Sequence, residues 1–192
     1  MRRLTLQDYQ EVANRLGCEV AAVQAVAHVE SLGGGFLSDG SPKILFEGHV
    51  FWKQLKKRGI NPHDHIAGNE DVLYTRWTKK HYVGGKEEYD RLEKAMRIYE
   101  DAAYASASYG EFQIMGFHWQ AFGYEDAFTF VNSMRTARGQ LDAFVRLIEV
   151  NGWAKYLRTL QWAEFAKRYN GPGYKRNNYD TRMASAYKRF NN

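Results

Sequence analysis

The stretch Val20-Ala21-Ala22-Val23-Gln24-Ala25-Val26-Ala27-His28-Val29-Glu30-Ser31-Leu32-Gly33-Gly34-Gly35 decides how this chain reads. Its apolar run predicts a helix over residues 19–30, closed by a glycine-rich turn. Glu30 follows Val23 by seven residues, Val26 by four and Ala27 by three. Those spacings set it on the apolar stripe of the helix. A carboxylate there is disfavoured as an anion twice over. Desolvation raises its pKa, and so does the negative end of the helix dipole. The result is an acid still protonated near neutral pH, the kind of group that protonates a glycosidic oxygen. Gly33, Gly34 and Gly35 would let the backbone approach a polymer closely. On spacing alone, a surface glutamate at a helix end fits equally well.

Upstream, Thr5 reads as an N-cap, with Leu6, Tyr9, Val12, Ala13 and Leu16 on one face and Gly17 as the stop. Downstream, Phe36-Leu37 and Lys43-Ile44-Leu45-Phe46 flank Asp39-Gly40-Ser41-Pro42, which predicts a β-hairpin. A helix over 50–57 follows, stopped by Gly59 and Pro62. Residues 61–85 carry no clear period. From residue 86 the helical pattern returns, with Tyr89, Leu92, Met96, Tyr99 and Ala103 in register. Further helices are predicted over 111–121, 126–134, 137–150, 153–168 and 178–190. The fold class is therefore mostly α (α+β), with one small β-hairpin, in a single domain over residues 1–192.

Glu47 is a second candidate carboxylate, at the end of the Ile44-Leu45-Phe46 strand. Chain geometry would return this strand beside the end of the Glu30 helix, and two carboxylates across a cleft suit glycoside hydrolysis. A glutamate at a helix N-terminus, or a structural partner for arginine or backbone amides, fits the same position. Ser106 to Gly116 reads as a polar, small-residue loop entering a helix. Within it Gly110 would allow a close approach, and Gln113 offers an amide to an acetamido group. Tyr169-Asn170-Gly171-Pro172-Gly173-Tyr174 is a helix stop whose Tyr169 and Asn170 either line a cleft or cap the helix. His63 and His65 flank Asp64, but no HExxH or cysteine partner accompanies them, so a surface loop is expected rather than a metal site.

Composition narrows the classes. The single cysteine, Cys18, excludes an internal disulfide and a cysteine-based zinc cage. Lys and Arg number 27 against 22 Asp and Glu, giving a net charge of +5, which favours polyanions: nucleic acid, anionic lipid or a bacterial envelope. The basic runs are too short to argue for nucleic acid. No apolar stretch follows Met1-Arg2-Arg3, so no secretory signal is read, and no segment approaches a membrane span.

In order, Glu30-Ser31, Ser108-Tyr109-Gly110-Glu111-Phe112-Gln113 and Tyr169-Asn170 resemble the lysozyme-like superfamily of goose-type lysozymes and soluble lytic transglycosylases. The chain is most similar to one branch, the N-acetylmuramidases of phage endolysins. That likeness rests on Ala25 to Ser31, Gly35-Phe36, Pro42 to His49, Gln113 to Phe117 and Arg168 to Gly173. It spans about residues 10–190. Glu111 departs from it where an apolar residue is common, and Tyr109 where tryptophan is common.

The resemblance implies a lysozyme-like fold with the hairpin beside the cleft and no separate cell-wall-binding domain. It implies hydrolysis of the β-1,4 bond between N-acetylmuramic acid and N-acetylglucosamine, with Glu30 as general acid. Glu47 would be the base or a transition-state stabiliser, with inversion expected if the carboxyls lie beyond about 6.5 Å. Ser108, Gln113, Tyr169 and Asn170 would bind substrate, with no metal or cofactor. The partner would be peptidoglycan, engaged by a monomer without nucleic acid or membrane insertion. The protein would accumulate in the host bacterial cytoplasm and reach the wall through a holin-type pore. A lytic transglycosylase and a non-catalytic glycan-binding module are the alternatives.

Overall fold

The computed structural model describes residues 4–30 and 34–192. Ser31 and Gly33, read above as part of the motif and the turn, lie outside the described residues, as does the Met1-Arg2-Arg3 start. The chain forms two compact units, residues 1–33 with 141–192, and residues 34–140.

The first unit is helical. Its opening helix α1 (Leu6–Leu16) begins in a capping box, with Thr5 and Asp8 satisfying each other's backbone amides, and ends at Gly17 in the left-handed conformation. Arg158 Nε donates to Leu16 O at 2.7 Å and so occupies one carbonyl that the helix end leaves open. Next comes α2 (Val20–Glu30), whose Ala21, Ala22, Val23, Ala25, Val26, Ala27 and Val29 are all buried. A helix apolar on nearly every side must be wrapped by others. Here α1, α7 (Ala154–Arg158) and α9 (Tyr179–Phe190) surround it. The segment 153–168, expected as one helix, breaks into α7 and α8 (Trp162–Tyr169) because Leu160 takes a positive φ of 53°.

The second unit is built on a three-stranded antiparallel sheet in the order β1-β2-β3. The expected hairpin shrinks to an isolated bridge between Phe36 and Pro42. Instead β1 (Ile44–Phe46) pairs with β2 (Ala107–Tyr109), Leu45 opposite Ser108. In turn β2 pairs with β3 (Ile114–Met115). The helix expected over 111–121 is thus a hairpin followed by a 3-10 turn at Gly116–His118. Gly110 and Gln113 both take positive φ, 72° and 48°, which turns the chain back before a helix can start. Helices α3 (Gly48–Lys57), α4 (Glu87–Ala105) and α5 (Ala127–Ser133) pack in this unit. In α4, Tyr99 is extended, so it runs as two helices across a kink. The boundary between the units falls within α6 (Ala137–Val150).

Gln140, fully buried, ties two loops of the second unit together. Its Oε1 accepts from Glu111 N at 2.8 Å, and its Nε2 donates to Gly35 O and Met134 O. A Cβ on Gly110 would sit 2.4 Å from Gln140 Cδ. Gln140 cannot swing aside without breaking three hydrogen bonds. Gly110→Ala combines that clash with a positive φ, and is expected to cost roughly 2–4 kcal/mol. Urea unfolding midpoints measure this. A midpoint equal to wild type would remove Gln140 as the rigid wall.

Candidate active site

In the first unit, the last residue of α2 is Glu30. Asn170, the C-cap of α8, spans its carboxyl, with Nδ2 3.1 Å from Oε1 and 3.2 Å from Oε2. Burial pushes the Glu30 pKa up to about 7, and the Asn170 hydrogen bond and the Arg182 charge only partly oppose it. Asn170 Oδ1 is itself buried and has no hydrogen-bond partner among the described residues. Tyr169 is wedged among Phe144, Trp153 and Phe165, with ring centroids 5.7, 6.4 and 5.7 Å away. Burial, and then the Glu30 charge, hold its hydroxyl well above the usual phenol range. Glu30 and the Tyr169-Asn170 pair come from distant stretches of the sequence; the structure brings them together at the junction of α2 and α8.

In the second unit, Glu47 is the N-cap of α3 but makes no side-chain cap. Tyr82 donates its hydroxyl to Glu47 Oε1 at 2.7 Å, and His49 Nδ1 lies 3.2 Å from Oε2. Burial and the Glu47 carboxylate drive the Tyr82 phenol pKa up. Tyr74 stacks between His49 and His81, and it packs so close to Gly48 that a Cβ there would meet its ring at 2.4 Å. The Glu47-Gly48-His49 sequence therefore needs its glycine. Tyr82 and Tyr74 come from residues 61–85, which have no period to betray them. His63 packs edge-on against Trp52 in the same unit.

Ser108 and Gln113 meet across the β2–β3 hairpin. Ser108 Oγ donates to Gln113 Oε1 at 2.9 Å, and Gln113 Nε2 donates to Gly110 O at 2.8 Å. The exposed Gln113 thus braces its own turn with both ends of its amide. Ser108, by contrast, is buried.

The N-acetylmuramidase family model matches residues 19–191, nearly the whole chain. The protein belongs to the N-acetylmuramidase family. Among solved structures, that of the Burkholderia AP3 phage endolysin is 41% identical, with a TM-score of 0.93, over 99% of this chain and 72% of that one. No curated protein matches. The muramidase is a peptidoglycan hydrolase with a lysozyme-like fold of helices and one small antiparallel sheet. Among its described residues no helix is long and apolar enough to cross a membrane.

Three muramidase residues that organise these sites escaped the sequence reading. They are Tyr82, which holds Glu47, Gln140, which holds the Gly35 and Glu111 loops, and Glu88, buried beneath β1. A buried polar residue inside an apolar register is the signal that marks Gln140 and Glu88. Tyr82 has no such signal.

Proposed function

We propose that Glu30 is the general acid that protonates the leaving oxygen of the β-1,4 bond between N-acetylmuramic acid and N-acetylglucosamine. The observation that carries this reading is a half-buried carboxyl with a pKa of about 7, held at a helix end by Asn170. Such an acid keeps its proton near neutral pH and can still release it to a leaving group. When Glu30 carries the proton, turning over the Asn170 amide would give its unpaired Oδ1 a donor. Tyr169 shapes the wall beside Glu30. Gln113 offers its second amide hydrogen to an acetamido group, with Ser108 fixing its orientation. Residues 1–192 serve as one catalytic domain and act as a monomer. The protein accumulates in the host cytoplasm and reaches the wall on release, where its net positive charge favours adhesion to an anionic envelope.

Mass spectrometry of fragments released from purified peptidoglycan tests the reaction, with Glu30→Gln as control. Reducing muramic-acid ends, absent from the variant, are expected. Anhydro-muramic ends would replace hydrolysis by transglycosylation. Equal release by the variant would sink the role of Glu30.

Glu47 is assigned as the group that activates the attacking water, and Tyr82 as the residue that aims it. On that assignment Glu47→Gln lowers kcat by about 10²–10⁴-fold with little change in KM. Tyr82→Phe lowers it by about tenfold, the worth of one hydrogen bond to a charged group. Reducing-end assays beside thermal melts separate this from a scaffold role. A scaffold would lose Tm in Glu47→Gln and keep kcat.

A further inference from the structure

The first unit holds a groove whose lining does not include Glu30, Tyr169 or Asn170. It has a volume of about 450 Å³, lies between the last turn of α2 and α9, and is lined by His28, Thr181, Arg182, Ser185 and Arg189 over an apolar floor. Arg182 Nη2 donates to Val29 O at 3.4 Å, and its charge reaches the Glu30 carboxyl. The groove therefore starts one side chain from the proposed general acid. Farther along, Arg189 Nη2 lies 2.8 Å from His28 Nε2. A guanidinium only donates, so that ring nitrogen accepts and brings no negative charge to Arg189.

Charge balance sets this groove apart. Arg15, Arg58, Arg91 and Arg168 are each ion-paired with a carboxylate. Among the described residues neither Arg182 nor Arg189 is in such a pair. Arg182, which feels the Glu30 carboxyl but forms no ion pair, and Arg189 lie on one helix with the Ser185 and Thr181 hydroxyls between and beside them, and together form a concave set of donors for an anion. Guanidinium forks suit carboxylates and phosphates in particular.

The proposed reaction narrows the choice, and the inference rests on it. A glycan cut at Glu30 carries, on each muramic acid, a lactyl-linked peptide bearing free carboxylates. These are anions tethered to the substrate, delivered beside the scissile bond. We propose that the groove between α2 and α9 binds the stem-peptide carboxylates of peptidoglycan, so that the enzyme selects peptide-bearing strands over neutralised ones.

The test is a calorimetric titration of the wild-type protein with a disaccharide tripeptide, its peptide carboxylates either free or converted to carboxamides. The free acid is expected to bind about tenfold or more tightly than the amide, the worth of one charge-assisted hydrogen bond. Arg189→Ala should lose most of that ratio, and Arg189→Lys should keep part of it. Ser185→Asp, which places a like charge at an exposed position of the groove, should bring the ratio to one or below. Matching melting curves establish that the variants fold. Equal affinity for acid and amide in the wild type, or an unchanged ratio in the variants, would overturn the proposal. Competition by inorganic phosphate with no acid–amide difference would also overturn it, in favour of a phosphate site. Binding is read without turnover, so a failure of the glycosidase reading would show separately, as absence of reducing ends.

Discussion

Glu30→Gln is expected to lower peptidoglycan cleavage by about 10²–10⁴-fold and, at pH 8, to make the protein more stable. The two effects have one cause. Burial beside Asn170 raises the Glu30 pKa from 4.5 to about 7. Below pH 4.5 the carboxyl is protonated in both the folded and the unfolded chain, and its contribution to stability is intact. Between pH 4.5 and 7 the unfolded chain releases the proton while the folded protein keeps it, so stability falls as pH rises. Above pH 7 the loss is complete and amounts to on the order of 3 kcal/mol. Glutamine has no proton to lose. Urea unfolding of wild type and variant should therefore coincide at pH 4 and diverge by that amount at pH 8.

Activity should follow the same ionisation from the other side. The acid is competent only while protonated, so kcat/KM is expected to fall about tenfold per pH unit above pH 7. The stability curve and the activity curve should then bend at the same pH. A variant as unstable at pH 8 as the wild type would mean that the carboxyl is not strained by burial. The alkaline limb would then belong to another group.

The contrast between Glu30 and Glu47 shows what a sequence carries. Glu30 was legible because its environment is made by its own helix. Val23, Val26 and Ala27 are close in sequence, and all three are buried. Thr5 and Gly17 were legible for the same reason, each acting on a terminus of its own helix. The surroundings of Glu47 come from elsewhere. Its strand finds its partner in Ala107–Tyr109, and its hydroxyl donor in Tyr82. The nearby Phe36–Leu37 segment was the obvious hairpin partner for β1, yet only one bridge forms there. Over 111–121 the spacing of Phe112, Met115 and Trp119 imitates a helix. What overrides it is the positive φ at Gly110 and Gln113, closed by Ser108 and by Gln140 from the start of α6. Those constraints act at long range, and a one-dimensional pattern does not contain them.

Long-range placement of Glu47 depends on one buried ion pair, and breaking it should be the most damaging structural change in the second unit. Glu88 is fully buried. Its Oε2 accepts from Phe46 N at 3.0 Å and from Arg91 Nη1 at 2.8 Å, while Oε1 accepts from Val83 N at 2.9 Å and Gly84 N at 3.2 Å. Arg91 in turn donates to Phe46 O and Asp71 O. The pair thus clamps the residue before Glu47 by both its amide and its carbonyl. It also fixes both ends of the segment that carries Tyr74 and Tyr82. Glu88→Ala would leave Arg91 as an uncompensated buried cation and three backbone amides without their acceptor. The expected cost is about 3–5 kcal/mol, a large share of the stability of an ordinary domain. Glu88→Gln keeps the shape and one acceptor oxygen, and should lose less. Replacing Glu88 and Arg91 together with apolar residues of similar volume should recover much of the loss, because the stranded charge is gone. Chemical unfolding of the three variants checks this order. If Glu88→Ala and the double replacement lost stability equally, the backbone amides rather than the stranded charge would carry the cost. The clamp would then act through hydrogen bonds to Phe46, Val83 and Gly84 alone.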